Sequence, residues 1–199
     1  GSYEQMVSDS IDPLTTSNTT IAQYADNYFE FDTSQRVVLE RNKGGALTFT
    51  FSYTENPATS SSTSGGSTTY NPNSWVKKTV QTLPDSSQNI LYFNGAGQTM
   101  LEVKKSGNDE WCWFKKYDGN GRVILQAEPS AISGYDEQYT DLLHYSGGSY
   151  QYLNNSTGLI HLYDFYTTTG SGAAEGYPSF TKIQNGENGT PIKLSKTEY

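Results

Sequence analysis

Nucleophilic catalysis needs a base beside the nucleophile, and the 199 residues contain only two histidines, His144 and His161. Neither lies in a nucleophile elbow or another catalytic motif, and the plain assignment of each is a sheet or loop residue. A carboxylate pair for glycoside hydrolysis would meet in space rather than in sequence; Glu110, Asp136, Glu137, Asp141 and Asp164 are the possible members, with a solvated surface role the simpler assignment for each. The single cysteine, Cys112, excludes an intrachain disulfide and a cysteine-cluster metal site. It stands between Trp111 and Trp113, where a buried apolar thiol is the plain assignment and a crosslinking thiol the sharper one. Asp118-Gly119-Asn120-Gly121 begins like a calcium loop, but Arg122 takes the next ligand position and no Glu closes it. These residues assign no catalytic group, no metal and no cofactor.

Aromatic rings are the other candidate chemistry. Trp75, Trp111 and Trp113, among many Tyr, could line a sheet face as stacking platforms for sugars. The competing use is structural: hydrophobic residues make up 34% of the chain and aromatics 14%, so a Leu-poor core must lean on rings. Tyr suits a sheet with one wet face, since its ring buries apolar area while its hydroxyl stays at the water boundary. A net charge of −8 with no Lys/Arg stripe argues against nucleic acid as a partner. No apolar run approaches the ~18 residues that span a bilayer, which argues against membrane insertion.

The elements that must position these groups are strands and turns in a repeat. Three blocks align: Phe31-Asp32-Thr33-Ser34-Gln35-Arg36, Phe93-Asn94-Gly95-Ala96-Gly97-Gln98 and Tyr117-Asp118-Gly119-Asn120-Gly121-Arg122. The pattern is aromatic, Asp or Asn, two free positions, usually Gly, then Arg or Gln. It continues as Val37-Val38-Leu39-Glu40, Thr99-Met100-Leu101-Glu102 and Val123-Ile124-Leu125-Gln126, with Leu at the same offset. A Gly-rich turn and the alternating strand 47–53 follow the first block, and Ser106-Gly107-Asn108-Asp109 with the strand 111–117 follow the second. The unit is therefore turn, strand, turn, strand, best seen in residues 31–53, 93–117 and 117–129. The Asp or Asn accepts backbone N–H groups inside the turn, the Gly supplies a positive φ, and the flanking aromatic and Arg stack across the strand pair. With Gln35 in the Gly position, the first turn is expected to differ in backbone shape. A worn fourth copy is a candidate at Asn155 to Leu162.

The Tyr-Asp-x-x-Gly-Arg pattern of residues 117–122 resembles the YD repeat of bacterial Rhs proteins and of the teneurin extracellular region. The resemblance is best from Tyr92 to about Pro129 and weaker over 28–53, where Phe replaces Tyr; Gln98 replaces Arg in the second block. It implies antiparallel β-hairpin repeats forming a curved or spiralling sheet, used as a shell around cargo or as an adhesion scaffold. Phe31, Asp32, Arg36, Phe93, Asn94, Gly97, Tyr117, Asp118, Gly121 and Arg122 would then be structural repeat residues.

The expected organisation is one all-β domain over 1–199 with inserted loops. Residues 58–69 are a Ser/Thr/Gly low-complexity run, a flexible surface excursion. Insertions are expected at 129–147, with a short helical turn, and at 167–176. Strands are expected at 74–80, in a hairpin around 154–158 between residues 150–153 and 159–166, and at 177–182 and 191–199. Residues 15–30 read equally as helix or strand. Sequons at Asn18, Asn154, Asn155 and Asn188 matter only in a host that glycosylates. The Gly1-Ser2 start has the look of a tag remnant, so a secretion signal could have preceded it. The reading is a non-enzymatic scaffold segment of a secreted or cell-surface protein, bacterial if the resemblance holds. Its partners would be a protein or glycan surface, or neighbouring repeats of a longer chain. A carbohydrate-binding module is the alternative, and a glycosidase-like enzyme a distant third.

Overall fold

Runs that alternate apolar and polar side chains, broken every few residues by Gly, Asn, Asp or Pro, satisfy their backbone groups by pairing with the next run. A computed structural model describes residues 3–57 and 71–199; the expected excursion at 58–69 lies outside the described residues. Two short helices come first, α1 (Tyr3–Ser8) and α2 (Asn18–Ile21), the second capped by the Ser17 hydroxyl, which accepts the Thr20 N–H. Strands follow: β1 (Asn27–Phe31), β2 (Val37–Asn42), β3 (Leu47–Glu55), β4 (Trp75–Thr82), β5 (Gln88–Asn94), β6 (Thr99–Ser106), β7 (Asp109–Tyr117) and β8 (Val123–Ala127). After a 3₁₀ turn at Pro129–Ala131 come β9 (Tyr145–Ser146), β10 (Ser149–Tyr150), β11 (Leu159–Phe165), β12 (Pro178–Asn185) and β13 (Ile192–Lys196). The stretch 15–30 thus holds both a helix and a strand.

Eleven strands form one antiparallel sheet in the order β1-β2-β3-β4-β5-β6-β7-β8-β11-β12-β13, and β9 with β10 forms a separate two-stranded ribbon. Almost every strand pairs with its chain neighbour, as short hairpin connections dictate. β1 and β13 are not paired with each other, and the sheet is not closed into a barrel.

The chain forms two compact units. One comprises Gly1–Tyr53, Thr79–Ile90 and Lys105–Asp109; the other Thr54–Lys78, Leu91–Lys104 and Glu110–Tyr199. In the first, β1 pairs with β2 from Asn27↔Asn42 onward, with an irregularity at Glu30/Phe31, and β2 pairs with β3 from Leu39↔Thr50 to Asn42↔Leu47. Met6 and Ala22 are its buried apolar side chains before the sheet begins.

In the second unit, one sheet face is dry. Tyr92, Leu101, Val103, Cys112, Phe114, Ala127 and Ile160 are buried, and Phe114↔Ala127 and Ala127↔Ile160 stand opposite each other across β7, β8 and β11. Residues 128–158 supply the other half of this core: Ala131, Leu142, Leu143, Tyr150 and Leu153 are all buried. The segment closes on itself through β9–β10 and the Ile132↔Leu153 bridge. It is tied down by the Trp75 N–H donating to the Thr140 carbonyl at 2.8 Å. Glu137 accepts from the Tyr92 hydroxyl at 2.7 Å and from Lys78 at 2.6 Å. Burial, then the Glu137 carboxylate, pushes the Tyr92 hydroxyl far above the tyrosine range.

Two expectations change here. The region 129–147 does contain a helical turn, but it is a core lid rather than a surface insertion, because Leu142 and Leu143 have no exposed area. The hairpin about 154–158 does not form: β10 pairs with β9, and β11 pairs with β8 and β12. Gly158 is where the lid returns to the sheet; a Cβ there would stand 2.2 Å from the Ser130 carbonyl oxygen. Residues 155–162 are therefore not a repeat copy. Because the lid is core, Leu143→Ala should cost roughly 2–5 kcal/mol. Urea unfolding would read this as a lower midpoint at an unchanged slope.

Candidate functional site

The motif residues converge on one device used three times. In the turn 118–122 the Asp118 N–H donates to the Arg122 carbonyl (2.9 Å) and the Gly121 N–H to the Asp118 carbonyl (3.0 Å). One carboxylate oxygen of Asp118 accepts the Asn120 and Arg122 N–H groups, both at 2.9 Å. The other accepts Arg122 Nε at 2.7 Å and Nη2 at 2.6 Å. The turn 32–36 repeats this set: Asp32 takes the Ser34 and Arg36 N–H groups at 2.8 and 3.0 Å, and its second oxygen takes Arg36 Nε at 2.8 Å. In 94–98 the side-chain Oδ1 of Asn94 takes the Ala96 and Gln98 N–H groups at 3.0 and 2.9 Å, while its Nδ2 donates to Gln98 Oε1 at 3.0 Å. A neutral carboxamide pair thus replaces the ion pair with the same geometry.

The fourth turn residue has positive φ each time: Gln35 +64°, Gly97 +77°, Gly121 +75°. The first turn therefore does not differ in shape; Gln35 adopts the left-handed backbone that Gly would take more easily. The cost is offset by the shared hydrogen-bond set.

The Arg side chains do not stack on the aromatic that opens their own motif. Arg36 lies 4.4 Å from the ring centre of Tyr53, at the end of its repeat, and Arg122 lies 4.2 Å from that of Phe165 on β11. The Tyr53 hydroxyl donates to the Val37 carbonyl and the Tyr117 hydroxyl to the Thr99 carbonyl, both at 2.7 Å. Val37 and Thr99 each directly follow a motif, so the two contacts are equivalent. In the second unit adjoining turns also join each other: Gln98 Nε2 donates to the Gly121 carbonyl at 2.7 Å, and Arg122 Nη1 to the Gly176 carbonyl at 2.9 Å.

That last contact marks a copy the sequence pattern hides. The Tyr166 N–H donates to the Tyr177 carbonyl (2.9 Å), the Gly176 N–H donates to the Tyr166 carbonyl (2.8 Å), and Gly176 has φ +83°. Tyr166, Gly176 and Tyr177 occupy the Asp118, Gly121 and Arg122 places, with residues 167–175 in place of Gly119-Asn120. Phe165 is then the opening aromatic. The available signal was the Phe-Tyr…Gly-Tyr order, invisible to an alignment at fixed spacing. The 83–87 turn has the same backbone closure, with Ser86 at φ +68°, but the Leu83 side chain has no acceptor and Asp85 takes the Ser87 N–H instead.

The remaining candidates scatter. Phe31 is exposed, Phe93 half-buried and Tyr117 buried, the last clasped by Asn73, which accepts its N–H (2.7 Å) and donates to its carbonyl (2.8 Å). Trp75 is 2% exposed and packs edge-on against Tyr92, so it is no stacking platform. Trp111 is exposed and Trp113 half-buried. Cys112 is buried, its thiol 3.6 Å from Glu110. Asp136 accepts the Gln138 N–H and Asp141 the His144 and Tyr145 N–H groups, while Asp164 pairs with Lys182. His144 stacks on Tyr139 at 3.7 Å, and His161 lies 3.8 Å from Glu128. The thiol, these carboxylates and both imidazoles each have a local neighbour in the fold. No family model matches the chain, and no curated protein is detectably similar to it.

Two outcomes follow from the turns. The Arg36 N–H, followed by the Arg36 guanidinium and the Ser34 N–H, holds the Asp32 carboxyl below its usual value. For Asp118 burial acts upward but is outweighed by the N–H and guanidinium of Arg122. A lowered folded value means stabilisation that is complete above the unfolded carboxyl pKa of about 3.9 and is lost as pH falls through the folded value. The Asn94 turn has no such dependence. Asp118→Asn with Arg122→Gln should therefore fold, and the difference in thermal midpoint from the parent chain should shrink below about pH 4, read by melts across the acid range. Gln35→Gly should raise stability by about 1 kcal/mol by relieving the left-handed strain, read as a higher melting midpoint.

Proposed function

We propose that the chain is a non-enzymatic scaffold of YD-type hairpin repeats, serving a secreted or cell-surface protein as shell wall or adhesive surface. The observation that carries this reading is the recurrence of one hydrogen-bond set at 32–36, 94–98 and 118–122, with equivalent Tyr hydroxyl contacts from Tyr53 and Tyr117. A side chain whose oxygens are filled by its own turn is a folding device, and the most distinctive residues of the sequence are all of this kind. Links from one turn to the next let successive units brace each other, as a repeat array requires.

The outer strands support neighbouring repeats as partners. Phe29 and Phe31 on β1, and Ile192 and Leu194 on β13, are exposed on strands that each have one unpaired edge. Further repeats, or a partner sheet, would cover such edges. A bacterial source follows from the Rhs resemblance alone.

The test is the Asp118→Ala, Arg122→Ala variant. Losing charge-assisted turn bonds that are partly screened by water should cost about 2 kcal/mol, a fall of roughly 4–8 °C in melting midpoint for a chain of this size. An unchanged midpoint would remove the motif's structural role and the reading with it.

A further inference from the structure

The second unit has a sheet face that its lid does not cover. On β7, Trp111, Trp113 and Lys115 alternate with the buried Cys112 and Phe114 and so stand on this opposite face. The row continues across the ladder: Lys115 faces Gln126 on β8, Gln126 faces His161 on β11, and His161 faces Ile183 on β12. Tyr163 follows His161 on the same face. Lys115, Val123, Gln126, Tyr163 and Phe165 line a groove of about 290 Å³ there. Three planar polar groups cluster there: Gln126 Nε2 donates to Glu128 Oε1 at 2.8 Å, and His161 Nε2 stands 3.8 Å from the same oxygen, beyond hydrogen-bond distance.

We propose that this face binds a neutral oligosaccharide. The exposed Trp111 indole and the Tyr163 phenol ring offer flat apolar surfaces for the C–H face of a pyranose, while the Trp113 ring carries the Lys104 ammonium 5.2 Å from its centre. Gln126, Glu128 and His161, between Trp113 and Tyr163, present amide, carboxylate and imidazole groups for vicinal hydroxyls, and the bond from Gln126 to Glu128 spares part of the ordering cost of binding. Charge selects the class of sugar. Charges on the face balance, with Lys104 paired to Glu102 and Lys115 in the row with Glu128, and the chain carries −8 overall, so a uronate or sulfated glycan gains no net attraction where a neutral one donates hydroxyls to Glu128. Trp111 and Trp113 stand two residues apart, ~7 Å along the strand, so an extended chain rather than a single sugar spans both. The inference does not rest on the repeat reading: the row's sugar-facing groups are outside the motif turns, and only Phe165 at the groove's end is shared with them, through Arg122.

The experiment is affinity electrophoresis of the whole chain in gels containing laminarin, xyloglucan, galactomannan, dextran or polygalacturonate, with tryptophan emission titrated in parallel. Retardation by at least one neutral polysaccharide with a shift in emission is expected. Trp111→Ala and Gln126→Ala should each weaken it at least 10-fold while leaving the melting midpoint unchanged, because both side chains lie outside the core. The turn variant Asp32→Asn/Arg36→Gln, which lies in the first unit, should bind as the parent does. No retardation and no emission change with any neutral polysaccharide at millimolar sugar would overturn the proposal. So would binding confined to polygalacturonate, or binding that survives both face substitutions.

Discussion

In each motif turn a single side-chain oxygen accepts two backbone N–H groups that the reversal leaves without ladder partners. Strand register follows from this capture. A slip by one residue would turn every side chain of a strand to the wrong face, and the Asx oxygen resists it because only one residue can bond both N–H groups at once. The second oxygen or nitrogen then fixes the Arg or Gln, and that side chain reaches the neighbouring turn or a ring of the following strand. The local turn and the contact between successive turns of the second unit are thus one continuous set of bonds. The carboxamide version at Asn94 and Gln98 indicates that geometry, not charge, is the requirement.

The dry core of the second unit depends on the same register. Phe114, Ala127 and Ile160 meet only because β7, β8 and β11 are held in step, although the lid separates β8 from β11 in the chain. The lid's own backbone accepts strain to deliver its apolar groups: Leu142 and His144 both have positive φ, beside a fully buried Leu143. Burial of two leucines, about 1.5–3 kcal/mol each, is of the size needed to offset a strained turn of order 1–3 kcal/mol per residue.

Strand positions, the antiparallel pairing of neighbours and the turn chemistry at Asp32, Asn94 and Asp118 were legible in the sequence because each depends on adjacent residues. The lid was not, since Ser, Gly, Asp and Tyr around Leu142-Leu143 have the composition of a loop and only the sheet beneath explains their burial. The partner of each Arg was misread for a similar reason: Tyr53 and Phe165 are distant in sequence and near only after pairing. Trp75 was indistinguishable from Trp111 by type, and its burial against Tyr92 is a tertiary fact. The row of Gln126, Glu128 and His161 escaped notice because those residues lie on separate strands or just beyond their ends.

The enlarged turn between Tyr166 and Tyr177 closes at its neck, where two backbone bonds and the Arg122 contact to Gly176 form before the excursion begins. What lies beyond that neck takes no part in the register of β11 and β12: it is held by its own Gly170↔Ala173 bridge and by the Tyr199 N–H, which donates to the Gly172 carbonyl. Doubling such a loop adds only about 0.6 kcal/mol of closure entropy. The site can therefore accept foreign sequence, a tag or a whole guest domain, with the sheet on either side unaware of its length.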